Sequence, residues 1–533
     1  MSQTTPLLPP CESPPETPQP LATSLVHRCQ TLLSELDAFK TLLVQTQRNP
    51  QIVEVRSLRS NVLSELKTLD GLVERVLAVG DDPDDETQRA LIHALRSSNL
   101  PFYETVWMIA KRTCSGLVTF GKRFYWGGEG GMEDGDGDGA KKRPSKDKRK
   151  SVYVDIVADD GEEWVKVSTV SETRLLFEMA KKGWEADSEA GSVEEGRTIL
   201  QNFNGRQGGD EEGYGEEDED DEIELVKLAS EMRKAANSTR INYRHPRLRI
   251  VIPKIEEGES PEIDDLLKVI RSYGIVVDCG ENALGCNSDK EEHPKPMTSL
   301  QEELRQLLPT PFKRFTSALN VDCTLLLALV SDLSHFKNIP PSPSYHRAIL
   351  RQLEVESERP LLSTELWPAM NAHELVCTDE AAKRMREIVD VIGTDTEKKR
   401  AEIIMGDPPH SQRDPNSLIQ DLQELSDYEI PPHWKLPIKT VHATSVIDSA
   451  RQNGQLPPVS HQVTGILSDI NYSVFMYGWA AGMTTISSNR TVVKQIETTV
   501  ENHRNGNENL EGPSIWVCDT ARSLVGKGKD RKN

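Results

Sequence analysis

Core-forming residues are scarce in this sequence. Hydrophobic residues fill 36 % and aromatics 5 % of its 533 positions, which is thin for a chain of this length and predicts sizeable disordered segments between folded parts. No apolar run approaches the ~20 residues that cross a bilayer. The opening stretch MSQTTPLLPPCESPPETPQP lacks a basic segment followed by an apolar core, so neither a membrane partner nor a signal peptide is expected. The eight cysteines are scattered and contain no CxxC pair. That spacing gives no support to a zinc site and predicts free thiols in a reducing compartment, cytoplasmic and/or nuclear. No glycine-rich phosphate loop of the Walker or Rossmann type is present. Positive charge is outweighed, with 63 Lys and Arg against 85 Asp and Glu and a net charge of −22. As a whole the molecule repels nucleic acid and anionic membranes, so RNA binding requires a local basic patch.

What is present falls into blocks. The length predicts two or three domains. A disordered leader (1–20) precedes a helical bundle (21–124), in which Leu25, Cys29, Leu32, Leu33, Leu36, Phe39 and Leu43 form one apolar face. Leu58, Val62, Leu66, Leu69, Val73, Val76 and Leu77 form another. Leu91, Leu95 and the stretch Phe102 to Phe120 predict further helices. A disordered linker (125–150) then carries the basic cluster KKRPSKDKRK, which has the look of a nuclear localisation signal and equally that of a solvated charged linker. Its DGDGDG run lacks the twelfth-position Glu and flanking helices of a calcium loop.

An α/β region follows (151–281). VYVDIVA and EWVKVST alternate around Asp159-Asp160-Gly161 and predict a β-hairpin. Asp155, Glu163 and Lys166 faintly resemble a PD-(D/E)xK nuclease core, but Trp164 stands where the second acid is required, so the hairpin reading is favoured. Near 185–222 lies a disordered insert, and eleven acids in the fifteen residues Asp210–Glu224 mark it as an acidic interaction segment. Leu248–Ile252, a helix opened by Ser260-Pro261 and Ile275–Asp278 predict a parallel βαβ unit. A polar linker (282–298) leads to the last α/β domain (299–524), opened by a Ser299/Glu302 capping box, and a basic tail (525–533) closes the chain. Lys-rich segments near Lys141 and Lys527 lack interleaved aromatics, so they point only weakly to RNA.

The most apolar passage is ALNVDCTLLLALVSDLSH, Ala318 to His335. Leu319–Val321 predicts a short buried strand, with Thr324 as the cap of the following helix. Asp322 stands at the hand-over, where open α/β sheets place their chemistry. Beyond it, a strand at Leu375–Cys377 leads into a helix capped by Thr378, then a helix at Thr396–Met405 closed by Gly406. Asp407–Pro437 reads as a long loop, Val463–Tyr477 as one helix, Met483–Ile486 as a strand, and Ile515–Cys518 as a final edge strand. Strands alternating with helices predict a parallel sheet. Cys323 and Cys377 read as buried thiols, and His433, His442 and His461 as ordinary residues without ligand spacing.

Three passages, LNVDCTLLLALVSDLSH, ELVCTDEAAKRMREIVDVIGTDTEKKRAE and MTTISSNRTVV, resemble the uncharacterised eukaryotic domain-of-unknown-function 1308 family. DIVADDGEEWVKV resembles the region upstream in that family. The resemblance implies a PIN-like C-terminal α/β/α domain, a fold used by many ribonucleases that hold Mg²⁺ or Mn²⁺ with three or four carboxylates. Asp322 matches the first acid and Thr324 the hydroxyl residue that follows it. The second acid is implied in the helix after Leu375–Cys377, where the register puts Arg384, with Glu380 and Glu387 each about one turn away. The third position holds Ser487, Ser488 and Asn489. The acidic set is incomplete, which favours a non-catalytic binding or scaffolding module with Asp322 as a helix cap. The alternatives are a Mg²⁺- or Mn²⁺-dependent ribonuclease using Asp322 with Glu380 or Glu387, and an adaptor that recruits protein partners through the bundle and acidic loop.

Overall fold

The computed structural model describes residues 17–47, 53–79, 85–127, 150–183, 222–284, 299–340, 342, 345–518 and 520–526. Most of the leader, whose last residues Pro18–Pro20 already belong to the first helix, most of the basic linker, nearly all of the acidic insert, the 285–298 linker and residues 527–533 lie outside the described residues. The chain forms two compact units, one from residues within 1–239 and 245–310, the other from 240–244 and 311–533.

The first unit stacks helices on both faces of a mixed sheet. Helices Pro18–Thr46, Arg56–Val79, Asp85–Arg96 and Leu100–Thr113 make one layer. The predicted apolar faces are buried at Leu25, Cys29, Leu36, Phe39, Leu58, Val62 and Leu69, whereas Leu77, near the helix end, stays exposed. The sheet comprises β1 (Thr119–Trp126), β2 (Lys150–Ala158), β3 (Glu163–Val167), β4 (Arg247–Ile252) and β5 (Ile275–Cys279), in that spatial order. β1–β2 and β2–β3 are antiparallel, while β3–β4 and β4–β5 are parallel. Ile156, Ala158, Val165, Val167 and Val251 share a core with the four-helix layer. Val154, Val157, Trp164, Ile250 and Ile252 pack with helices Glu172–Lys181, Glu224–Asn237 and Pro261–Ser272. Burial on both faces is why β4 reads as the nearly continuous apolar run Ile250-Val251-Ile252.

The hairpin around Asp159-Asp160-Gly161 is present, and so are the βαβ unit and the Ser299/Glu302 capping box with both of its bonds. The helix expected to run to Phe120 instead stops at Thr113, and Thr119–Trp126 is a strand. Gly121, at φ +70, hides the alternation of Phe120 and Phe124. A Cβ there would sit 2.1 Å from Tyr153 Oη, so only glycine fits. Asp155 and Glu163 face different partners. Asp155 is buried against Lys166 Nζ (3.2 Å) and accepts the Val167 amide (2.8 Å), while Glu163 pairs with Arg249 (3.2 Å).

The second unit is built on a parallel sheet of β6 (Ala318–Val321), β7 (Glu374–Thr378), β8 (Lys439–Val441), β9 (Thr484–Ser487) and β10 (Ile515–Val517). Its order is β10-β9-β6-β7-β8. The chain steps outward from β6 through β7 to β8, then returns to the other side of β6 for β9 and β10. The direction of winding therefore reverses between β6 and β9, the kind of switch point at which open α/β sheets form a crevice. Leu319, Val321, Leu375, Cys377 and Ile486 belong to one core with Leu325, Leu329, Met385 and Ile404. Val376 packs on the other face with Ile447, Val463, Phe475, Val493 and Ile496. Residues Arg240–Arg244 belong to this unit. Arg240 and Arg244 pair with Glu508 and Glu511, and Tyr243 O accepts from Arg504 (2.8 Å).

Two elements differ from expectation here. β8 and the helix Ala443–Gln452 lie in sequence that gave no strand signal, because β8 is a three-residue edge with no buried side chain. The helix expected over Val463–Tyr477 is broken into Ser460–Ile466, Asp469–Asn471, a π-helical turn Tyr472–Met476 and Tyr477–Ala480. Leu467 is extended (φ −95, ψ 139) and interrupts the helix. Among the described residues, no helix is long and apolar enough to cross a membrane.

Candidate functional site at the carboxyl end of the second sheet

The strand β6 buries Leu319 and Val321 on one face, which directs Asn320 to the other and delivers Asp322 to the strand's carboxyl end. Asp322 is 2 % exposed. The helix following it begins at Cys323, so Asp322, not Thr324, holds the N-cap position (φ −71, ψ 150). Its carboxylate does more than a simple cap would: Oδ2 accepts two hydroxyl hydrogens, from Ser487 Oγ at 2.6 Å and Thr324 Oγ1 at 2.7 Å. Ser487 ends β9, so the carboxylate fastens the ends of the two strands that flank the switch point. The Asp322 amide donates to Ile486 O (3.0 Å), and the Asn489 amide donates to Ser487 Oγ (3.0 Å). Burial pushes the Asp322 carboxyl above the usual carboxylate range, against the pull of the Ser487 and Thr324 hydroxyls.

The other predicted residues have partners of their own. Arg384 lies on the helix Asp379–Ile392, exposed and paired with Glu387 at 3.4 Å. Glu380 turns to its neighbour. Asp379 is held below the usual carboxylate range by the Glu380 side chain and by His442, whose Nδ1 lies 2.7 Å from Asp379 Oδ2. Glu380 is raised by burial and by Asp379. Cys323 and Cys377 are buried free thiols, both pushed up to about 12 chiefly by burial. Among the described residues, no three His, Cys, Asp or Glu side chains group to hold a metal ion.

Over this edge lies the π-helical turn Tyr472–Met476. Ser473 Oγ is 3.1 Å from Thr378 Oγ1, and Asn320 Nδ2 donates to Val474 O (2.9 Å) and Thr485 Oγ1 (3.1 Å). The turn is tied by buried polar side chains to β7 and β6, and through Asn320 to β9. Gly478 makes this close approach possible, since a Cβ there would meet Thr485 Oγ1 at 2.0 Å. Gly478→Ala is expected to destabilise the second unit by about 1–3 kcal/mol through overpacking. Urea unfolding read by hydrogen exchange of the β6 and β9 amides checks this; an unchanged midpoint would show that the turn is not held against the sheet.

A second buried polar cluster sits behind the helix that Asp322 opens. Arg400 is fully buried. It donates to Asp332 Oδ1 (2.6 Å), Val330 O (3.0 Å) and Leu425 O (2.7 and 3.0 Å). Asp332 also accepts from Thr394 (2.7 Å) and Thr396 (2.6 Å). Glu397 accepts the Asp332, Thr394 and Val525 amides, each at 3.0 Å. His335, 1 % exposed, bridges Leu329 O (2.7 Å) and Ser426 Oγ (2.9 Å). Reading the sequence did not single out these residues. The available signal was charge inside the most apolar passage, in SDLSH and TDTEKKR, because charge there has to be paired.

Residues 319–417 match the family model described as a protein of unknown function, DUF1308. This agrees with the resemblance carried by the sequence over the segment from Leu319 to Ser417. No curated protein and no solved structure matches the chain.

Proposed function

We propose that this chain is a PIN-like protein whose second unit serves as a binding or scaffolding module and carries no nuclease chemistry at Asp322. The observation that carries this reading is the bonding of Asp322 Oδ2 to Ser487 and Thr324 at 2.6 and 2.7 Å. A carboxylate oxygen saturated by two hydroxyl donors is serving the sheet, and it supplies a sufficient physical reason for an aspartate at this position. The donors nearby do not fit a Mg²⁺ or Mn²⁺ ion. Arg384 occupies the register of the second acid, the third position is the Ser487 hydroxyl already spent on Asp322, and Glu380 and Glu387 are turned to Asp379 and Arg384. The family resemblance supports the fold part of the reading, and protein partners fit the strongly acidic chain better than nucleic acid. The cellular site in keeping with this reading is cytoplasmic and/or nuclear.

The ribonuclease reading draws support from the place of Asp322 at the switch point between β6 and β9. One experiment separates the two. Labelled single-stranded RNA is incubated with the purified chain and Mn²⁺, beside Asp322→Asn. The expected result is no Mn²⁺-dependent cleavage by either. Cleavage by the wild type that Asp322→Asn abolishes would overturn the scaffolding reading. Asp322→Ala is expected to cost about 1–3 kcal/mol of stability, because it strands the buried Ser487 hydroxyl and the half-buried Thr324 hydroxyl. Thermal unfolding with and without Mn²⁺ reads that cost.

A further inference from the structure

After β10 the chain runs through residues 520–526 without helix or strand, yet Arg522, Ser523 and Val525 in this stretch are held by side chains of other elements. Arg522 is 3 % exposed. Its guanidinium lies against Glu356, also 3 % exposed, with Nε donating to Glu356 Oε2 at 2.6 Å. The second oxygen of Glu356 accepts the Leu361 amide (2.8 Å). The Ser523 amide donates to Gln352 Oε1 (3.0 Å), and Gln352 Nε2 donates back to Ser523 Oγ (3.2 Å). Ser523 O accepts from Ser331 Oγ (2.7 Å), and the Val525 amide donates to Glu397 Oε1 (3.0 Å). Leu524 is 5 % exposed within the same core as Leu329 and Ile404.

A segment with no ladder of its own has its backbone read by three side chains, Ser331, Gln352 and Glu397, and its arginine held by a fourth, Glu356. That is how a groove recognises an extended peptide, by backbone hydrogen bonds for affinity and side-chain pockets for specificity. The Arg522 socket makes the recognition selective. Emptying it leaves a buried carboxylate at Glu356 without its cation, and a segment lacking arginine cannot restore the pairing.

We propose that the groove formed by Ser331, the helix Arg347–Glu358 and the helix Asp395–Met405 is a peptide-recognition site for an Arg-Ser-Leu-Val segment. In this chain it is filled by residues 522–525, and it accepts the same segment from a second copy when its own is displaced. The site lies apart from Asp322 and stands or falls independently of the reading given to that residue.

The test uses the full chain and a fluorescent peptide of the sequence Thr520 to Gly526. Arg522→Gln is expected to free the groove, so that this variant binds the peptide at least tenfold more tightly than the wild type does. Adding Glu356→Gln to that variant is expected to remove the gain, and a peptide with glutamine in place of arginine is expected not to bind. Equal binding by wild type and Arg522→Gln, binding by neither, or binding indifferent to Glu356→Gln overturns the proposal. A second measurement needs no variant. Excess unlabelled peptide is expected to speed amide exchange at Ser523 and Val525 of the wild-type chain several-fold, and unchanged exchange counts against the proposal as firmly.

Discussion

Replacing Arg400 with alanine is expected to cost the second unit about 3–5 kcal/mol and to lower its thermal midpoint by on the order of 10 °C. The size follows from what the guanidinium touches. All of its bonds lie in the interior, to Asp332, Val330 O and Leu425 O, and it also covers the Phe336 ring at 4.7 Å. Alanine removes the packing and leaves two backbone carbonyls and part of the Asp332 carboxylate without donors. A buried acceptor left unsatisfied costs about 1–3 kcal/mol on its own. Arg400→Lys keeps the charge but not the planar fork that reaches Asp332 and Leu425 O together, so it is expected to recover less than half of the loss. Urea unfolding monitored by hydrogen exchange within residues 319–405 measures both variants. A loss under about 1 kcal/mol for Arg400→Ala would mean that the guanidinium is reached by water and acts as a surface group.

That cluster also marks where reading the sequence stops. Elements written in local pattern were legible: the apolar faces of the first two helices, the Asp159-Asp160-Gly161 hairpin, the βαβ unit, the Thr378 cap and the Ser299/Glu302 capping box. Each depends on residues a few positions apart. The features that went unread depend on distant partners. β1 was hidden by Gly121, whose reason is Tyr153. β8 has no apolar alternation, because as an exposed edge it needs none. The helix over Val463–Tyr477 has the right spacing throughout, yet Leu467 interrupts it. Asp322 is the sharpest case. Sequence alone offered a cap or a metal ligand, and while one of its two hydroxyl partners, Thr324, is local, the other, Ser487, stands 165 residues away. Position at a strand end was legible; the bonding that decides the residue's role was not.

The two buried clusters share a physical logic that bears on function. Open sheets expose a crevice at the switch point, and a ligand site there needs donors left free to meet a ligand. Here the Ser487 and Thr324 hydroxyls beside Asp322 are consumed within the chain. Behind it, Asp332, Glu397 and Arg400 consume one another. Paired networks of this kind rigidify and specify one arrangement of the elements they join. A rigid second unit is what a scaffold requires, and it is also what allows a groove such as the one around Glu356 to discriminate among segments.

His335 supplies the second large effect, a dependence of stability on pH. Burial, and then the charge of Arg400, lower its pKa to about 3 in the folded chain, whereas an unfolded histidine titrates near 6.5. The ring is neutral when folded. Leu329 O can only accept, so Nε2 carries the hydrogen and Nδ1 accepts from Ser426 Oγ. Between pH 6.5 and 3 the unfolded chain takes up a proton at this residue and the folded chain does not. Its contribution to stability is therefore intact above about pH 6.5 and is lost as the pH falls, by about 1.4 kcal/mol per pH unit. Glu397, packed on the same cluster and raised by burial, acts with the opposite sign, since its folded form binds a proton more readily. The net slope of the wild type is thus a sum, and the comparison with His335→Gln isolates the histidine. Gln is expected to be the less stable of the two at pH 7.5, through lost packing. The gap between them is expected to close by on the order of 3 kcal/mol between pH 6.5 and 4.5, which urea titrations of both proteins across that range would record. A gap that stays constant with pH would show that His335 protonates in the folded state as easily as in the unfolded one. In that case the pocket formed by Leu329, Ser426 and Arg400 must open to water, and the Arg400 effect should shrink with it.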